Sequence, residues 1–202
     1  MALSAIAINC TLKKSPAASS CEKLLGQVVE ALRKQDVQCD DVVRAVDLTI
    51  SPGVTSDEGA GDQWPDLRRR ILAADILILG TPIWLGHPSS VCQRILERMD
   101  AFLGELDDAG RMVTYGRVAG VVVVGNEDGA HHVSAELFQA LNDVGFTLPA
   151  SAVTYWVGEA MQKTNFDDLP VTPQKTAQTT TELALNCAHL ANLLRASPYP
   201  LR

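Results

Sequence analysis

The sequence predicts an α/β protein, a five-stranded parallel sheet with helices on both faces. Three observations lead there. Short apolar runs alternate along the chain with longer segments of helical periodicity. Apart from their first residues, the runs Asp75–Gly80 (DILILG) and Arg117–Gly125 (RVAGVVVVG) are wholly apolar, as strands buried on both faces must be. Polar loops rich in Gly, Pro, Asn and Ser separate each run from the helix after it, the rhythm of βαβ units joined by right-handed crossovers.

The first strand is Leu3–Ile8, and a polar loop from Asn9 to Ser19 follows it. Leu24, Leu25, Val28, Val29 and Leu32 then mark one face of a helix, with Ser19 and Glu22 at capping-box spacing. Val37–Val46 is a second, weaker strand, and Asp47–Asp62 is a loop rich in Gly, Ser and Asp. A helix over Pro65–Ala74 carries Leu67, Ile71 and Leu72 and leads into the third strand, Asp75–Gly80. Ser89 or Ser90 opens the next helix, with Val91, Ile95, Met99 and Phe102 on one face and Gly104 as its stop. Arg117–Gly125 is the fourth strand, and the helix after it carries Val133, Leu137, Leu141 and Val144. Thr147–Val157 supplies the fifth. Thr172 as cap and Pro173 at the first helical position open the last helix, which runs toward Leu194.

With 202 residues, 47% of them hydrophobic, the chain can bury a core as one domain over residues 1–202, the tail 196–202 being irregular. A net charge of -7 argues against general affinity for nucleic acid or anionic lipid. Cys10, Cys21, Cys39, Cys92 and Cys187 form no CxxC pair and are expected as reduced thiols, with no metal site among them. No signal peptide is expected at the N-terminus, and no apolar run is long enough to cross a bilayer, so a cytoplasmic location is expected.

In an open parallel sheet, ligands bind beyond the carboxyl ends of the strands. After the first strand, Thr11, Lys13, Ser19, Ser20 and Cys21 surround a helix N-terminus that is either an anion site or an ordinary cap under a solvated loop. Neither G-x-x-x-x-G-K-[ST] nor G-x-G-x-x-G occurs there, which excludes the common nucleoside-triphosphate and dinucleotide cradles. After the third strand, two prolines and a glycine bracket an aromatic in Thr81-Pro82-Ile83-Trp84-Leu85-Gly86-His87-Pro88. Trp84 either lies against a flat ligand or covers the sheet edge. After the fourth strand, Gly125-Asn126-Glu127-Asp128-Gly129 can turn backbone amides toward a ligand. His131 and His132 adjoin that loop. As helical neighbours they point in different directions and make no metal pair, and His131 either protonates a quinone-like acceptor beside this loop or is a surface residue of the helix's first turn. His87 is loop filler, and Trp156 either closes over the site or ends the fifth strand.

These loops resemble those of the flavodoxin-like NAD(P)H-dependent FMN reductases. Thr81–Gly86 with Pro88-Ser89-Ser90 is similar to that family's second flavin loop, and Gly125–His132 to its third. The first loop departs from the pattern: Asn9-Cys10-Thr11 and Lys13 stand where the family has Gly-Ser, then Arg. The resemblance covers roughly the first to the fifth strand. It implies a three-layer flavodoxin-like sandwich of strand order 2-1-3-4-5. It also implies FMN as cofactor, NAD(P)H as electron donor and a small acceptor such as a flavin or quinone. Thr11, Lys13, Ser19, Ser20 and Cys21 would then hold the phosphate. Pro82, Ile83, Trp84, Leu85 and Gly86 would border the ring, with Gly125, Asn126, Glu127, Asp128 and Gly129 at its other edge. No catalytic acid or base is assigned, and the compact cysteine cluster of iron–sulfur relatives is absent. A homodimer or homotetramer is implied, with Asp47–Asp62 and Ala160–Val171 as the loops for acceptor specificity or subunit contacts. Two alternatives stand beside the enzyme: a flavodoxin-type electron carrier, and a binding protein that keeps the fold without the cofactor.

Overall fold

The computed structural model describes residues 2–200. Its elements in chain order are β1 (Leu3–Asn9), α1 (Ser20–Arg33), β2 (Val37–Cys39), β3 (Val43–Arg44), α2 (Trp64–Ala73), β4 (Ile76–Trp84), β5 (His87–Pro88), α3 (Ser90–Met99), β6 (Val118–Gly125), α4 (Ala130–Asp143), β7 (Val153–Val157) and α5 (Gln174–Ala196). The main path through the sheet is β2-β1-β4-β6-β7, all parallel, so the five principal strands run second, first, third, fourth, fifth. Two short strands bring the total to seven. β3 pairs with the end of β1, and β5 folds back antiparallel on the tip of β4.

Alternation along the strands builds the two faces. Ile6, Ile8, Leu77, Leu79, Val121 and Val123 point to the side covered by α2, α3 and α4. Ala5, Ala7, Ile76, Ile78, Val122 and Val124 point to the side covered by α1 and α5. Each fully buried Leu, Ile or Val on these faces contributes about 1.5–3 kcal/mol relative to exposure. Gly80 sets how closely α1 approaches the sheet: a Cβ there would lie 2.6 Å from Leu25 Cδ1 and 2.9 Å from Cys21 Sγ.

Four local expectations need correction. The fifth strand, expected over Thr147–Val157, is confined to Val153–Val157, with Thr147 making only an isolated bridge to Val118. The weak strand Val37–Val46 is two short pieces, because the Asp40-Asp41 pair leaves the sheet before Val43 rejoins it. The third strand does not stop at Gly80 but continues to Trp84 through Pro82. β1 pairs with β4 only as far as Gly80, so Pro82 lies where that side of β4 has no neighbour in the main sheet and its missing N–H costs no ladder bond. The last helix starts at Gln174 with Pro173 as its N-cap residue, while Thr172 Oγ1 accepts from Gln27 Nε2 at 2.8 Å instead of capping. Residues 197–200 are irregular but tethered, with Tyr199 bonded to Thr147 at 2.9 Å and its ring 5.7 Å from that of Tyr115, and the last two residues of the expected tail lie outside the described residues.

Candidate functional site

The loops after β1, β4 and β6 meet beyond the carboxyl ends of the strands and frame an open cleft of about 190 Å³. Asn9, fully buried at the end of β1, shapes the first loop. Its side-chain oxygen accepts from the Thr11 amide at 3.0 Å, and its nitrogen reaches Ser19 Oγ at 3.4 Å. Ser19 Oγ also accepts from the Glu22 amide, which caps α1. With both acceptor positions used, the Ser19 hydroxyl has its proton left to donate. Thr11 Oγ1 accepts from the Lys13 amide at 3.3 Å and likewise keeps its proton. The amides of Ser20 and Cys21, at the first two helical positions, have no intrahelical acceptor.

The second half of the expected capping box is missing. Glu22 turns away and pairs with Arg44, whose buried guanidinium also donates to the carbonyls of Lys13 at 3.2 Å and Ala17 at 2.8 Å. Arg44 thus ties the first loop to the end of β3 and withdraws a carboxylate from the mouth of α1. Ser20 is less available than the sequence implies, because its hydroxyl donates to Asp167 Oδ1 and accepts from the Asp167 amide. Burial, chiefly, drives the Cys21 thiol far above its ordinary pKa, so Cys21 faces the cleft as a neutral thiol.

A buried relay joins the loops. Ser89 caps α3, donates to the Cys10 carbonyl at 2.6 Å and binds Thr81 Oγ1 through its amide at 3.0 Å. Pro82, Ile83 and Trp84 line the cleft on this side, and Trp84 is 54% exposed at its mouth. On the opposite side stand Val124, Gly125, Asn126 and Glu127. A Cβ on Gly125 would lie 3.0 Å from Ile83, so the two walls meet closely at its foot. Glu127 Oε1 is buried without a hydrogen-bond partner.

Eleven of the fifteen expected binding residues line this cleft: Thr11, Lys13, Ser19, Ser20, Cys21, Pro82, Ile83, Trp84, Gly125, Asn126 and Glu127. Leu85, Gly86, Asp128 and Gly129 are not in its lining. Leu85 and Gly86 form the β4–β5 turn, with φ of 52° and 78°, as a two-residue hairpin of the primed type requires. Gly129, at φ 125°, packs so tightly on that turn that a Cβ would come 2.9 Å from Gly86 Cα. These residues hold the loops together from behind.

Sequence reasoning missed Asn165 and Phe166, which close the cleft beside Trp156. The Trp156 and Phe166 rings are 5.6 Å apart, and Lys23 Nζ fixes their segment by bonding the carbonyls of Phe166, Asp167 and Leu169. A lone aromatic in the polar run Lys163–Asp168 was the available signal. His131 is outside the lining and contacts Tyr155 at 3.2 Å.

The family model of the NADPH-dependent FMN reductases matches residues 4–162. The chain belongs to this family. Among relatives, this reductase-family chain is 33% identical over 210 residues to the 8-demethyl-8-aminoriboflavin-5'-phosphate synthase of Streptomyces davaonensis, covering 98% of itself and 81% of the relative. It is also 39% identical over 201 residues to the divalent metal cation transporter MntH of Mycobacterium bovis. That match covers 96% of the chain but only 29% of the transporter's length. No helix among the described residues is long and apolar enough to cross a membrane. The structure of RosB with bound 8-demethyl-8-formylriboflavin-5'-phosphate superimposes with a TM-score of 0.89 at 32% identity, over 98% of this chain and 82% of that one. An archaeal flavodoxin, at 10% identity and TM-score 0.59 over 94% and 99% of the two chains, shares the fold.

Proposed function

We propose that the chain binds FMN in this cleft and uses NAD(P)H to reduce a small acceptor such as a flavin or quinone. One observation carries the reading: uncommitted donors and an apolar trough occupy opposite ends of one cleft. At one end stand the Thr11 and Ser19 hydroxyl protons, the Ser20 and Cys21 amides and the two ammonium protons that Lys13 keeps after donating to the Ala18 carbonyl at 3.3 Å, a donor set suited to a phosphate. Asp167 is held beside these donors by its bond to Ser20, so a phosphate would be held by Thr11, Ser19 and Lys13 rather than by the Ser20 hydroxyl. At the other end, Pro82, Ile83, Trp84, Val124 and Trp156 accept a flat ring. The orphaned Glu127 oxygen needs an N–H donor, and the pyrimidine edge of a flavin carries one.

Held by these residues, FMN would supply the redox chemistry, which is hydride acceptance from NAD(P)H and reduction of the acceptor. The protein orients the ring, excludes water from its buried edge and leaves the Trp84 side open for nicotinamide and acceptor. Trp84 and Leu85 are both exposed, and in a homodimer or homotetramer a second copy packed on Leu85 would roof one margin of that side and leave the entrance for nicotinamide and acceptor.

A second reading is favoured by the relative that makes a riboflavin-5'-phosphate derivative: the flavin phosphate is substrate instead of retained cofactor. One experiment separates the readings. The purified chain is loaded with FMN, mixed anaerobically with NADPH or NADH, and followed by visible absorption, after which the released flavin is weighed by mass spectrometry. Bleaching with unchanged flavin mass is the expected result. A changed mass favours the substrate reading. Bleaching by dithionite alone makes the chain a carrier, and failure to bind FMN leaves a scaffold without the cofactor.

A further inference from the structure

On the flank of the second and third loops, outside the cleft lining, three side chains converge from two elements. His87 stands on β5, and His132 and Glu136 are one turn apart on α4. His87 Nδ1 lies 3.0 Å from Glu136 Oε1, and His132 Nε2 lies 2.7 Å from the same oxygen. The imidazoles meet edge to face with centroids 5.1 Å apart, and all three ligand atoms fall within 4.8 Å of one another.

We propose that His87, His132 and Glu136 form a binding site for a divalent first-row metal ion, with zinc as its type case. Ligands about 2.0–2.1 Å from a tetrahedral zinc stand roughly 3.3 Å apart, so the observed separations need only small side-chain rotations to admit the ion. The i,i+4 spacing puts His132 and Glu136 on one face of α4 for reasons of helix geometry alone. His87 has no such reason to be there. It is carried in by the antiparallel β4–β5 turn, which delivers an imidazole to the same carboxylate oxygen. Two imidazoles and one carboxylate suit zinc, cobalt, nickel or copper, whereas magnesium and calcium take oxygen ligands. The triad is partly open to solvent, which leaves the fourth position to water. The chain's net charge of -7 favours capture of a cation. The sequence offered only the neighbours His131 and His132, which diverge; the third ligand came from a loop 45 residues upstream of His132.

Occupancy bears on the cleft. His87 is the strand partner of Trp84, so a metal held by His87 and α4 fixes the turn that carries Trp84. The test uses the full chain in a Cys39→Ser background, because Cys39 is the one thiol not fully buried and would compete for zinc. Zinc and magnesium are titrated calorimetrically into the chelator-treated protein. Cobalt binding is followed by visible absorption, and copper by quenching of tryptophan emission with and without Trp84→Phe. The expected result is one zinc per chain, no saturable magnesium binding, and visible cobalt bands of a four-coordinate ion. Copper quenching shrinks in the Trp84→Phe chain. His132→Ala and Glu136→Gln each weaken zinc by about tenfold or more, and the double variant His87→Ala/His132→Ala abolishes stoichiometric binding. His131→Ala, one residue away and equally on the surface, leaves affinity unchanged. Zinc binding that survives the double variant, or that falls as far in His131→Ala as in His132→Ala, overturns the proposal, as does absence of saturable binding. Unchanged melting temperatures without metal show that these surface variants fold.

Discussion

At Ser19 one hydroxyl oxygen accepts from the Glu22 amide and from Asn9, while its proton remains for the cleft. Those two roles can be separated by substitution. Ser19→Ala removes both, and the lost cap destabilises the chain by about 1 kcal/mol. Ser19→Asp restores a cap acceptor but has no proton to give and adds a negative charge beside the proposed phosphate position. We therefore expect Ser19→Asp to melt close to the parent chain and yet bind FMN more weakly than Ser19→Ala does. Differential scanning calorimetry and flavin-fluorescence titration check the two halves. If Ser19→Asp binds FMN as tightly as Ser19→Ala, the phosphate does not sit at the α1 N-terminus. Ser19 was legible in the sequence because capping is local, decided within four residues. Arg44 was not: it lies 22 residues from Glu22, and only the folded edge strand brings its guanidinium to that carboxylate.

Between elements, the long loop after β3 shows what positions α2 and α3. The side chains of Arg98 of α3 and Asp62 are both shielded from solvent and paired at 2.8 Å. Arg98 also donates to the carbonyls of Ser51 and Thr55, and its guanidinium lies over the Trp64 ring at 5.6 Å. Burial pushes the Asp62 pKa up, but the amides of Glu58, Trp64 and Ser51 together with Arg98 more than reverse this, so its carboxyl titrates below the usual value. Arg98→Met strands a buried carboxylate and should cost about 3–5 kcal/mol, read from urea unfolding. The β4–β5 turn gives a second prediction at this scale. Gly129→Ala places a Cβ against the backbone of Gly86 at a φ that L residues rarely adopt, so the second and third loops must part. Weaker FMN binding with a stability loss of about 1–3 kcal/mol is expected, and unchanged binding would show that the two loops act independently. The principal strands were legible because DILILG and RVAGVVVVG need no partner to be recognised. The extension of β4 to Trp84 was hidden by Pro82, which ends a strand unless the neighbouring strand has already stopped. Phe166 and Asn165 were hidden more deeply. The bond between Ser20 and Asp167 spans 147 positions, and no local pattern encodes such an approach.

Across the whole molecule, the sheet has two unlike ends. The carboxyl end carries the cleft, while the amino end is closed by Asp75 just before β4. Asp75 Oδ2 accepts from the Ser4 amide at 2.8 Å and from Arg195 of α5 at 2.7 Å, so one carboxylate joins the first strand, the central strand and the last helix. Partial burial pushes its pKa up, yet the bonds from Arg195 and Ser4 outweigh burial and hold it below the ordinary carboxylate value. In the unfolded chain Asp75 titrates near about 3.9. Between that value and the lower native one, the unfolded state binds the proton that the native state refuses, so stability falls as pH drops through this window. Above it the contribution is fully present. Asp75→Asn retains an acceptor for Ser4 but loses the charge that Arg195 meets. At neutral pH it should be less stable by on the order of 1 kcal/mol, since solvent screens a pair that is part-exposed. The deficit should shrink as pH falls below about 4, because the parent chain then loses the same charge by protonation. Urea midpoints of both chains from pH 7 to pH 3 measure this difference. A deficit that stays constant across that range would mean that Asp75 acts through shape and hydrogen bonding alone, with no contribution from its charge to holding α5 against the sheet. FMN affinity at pH 7 should be the same in both chains, since Asp75 lies at the end of the sheet opposite the cleft.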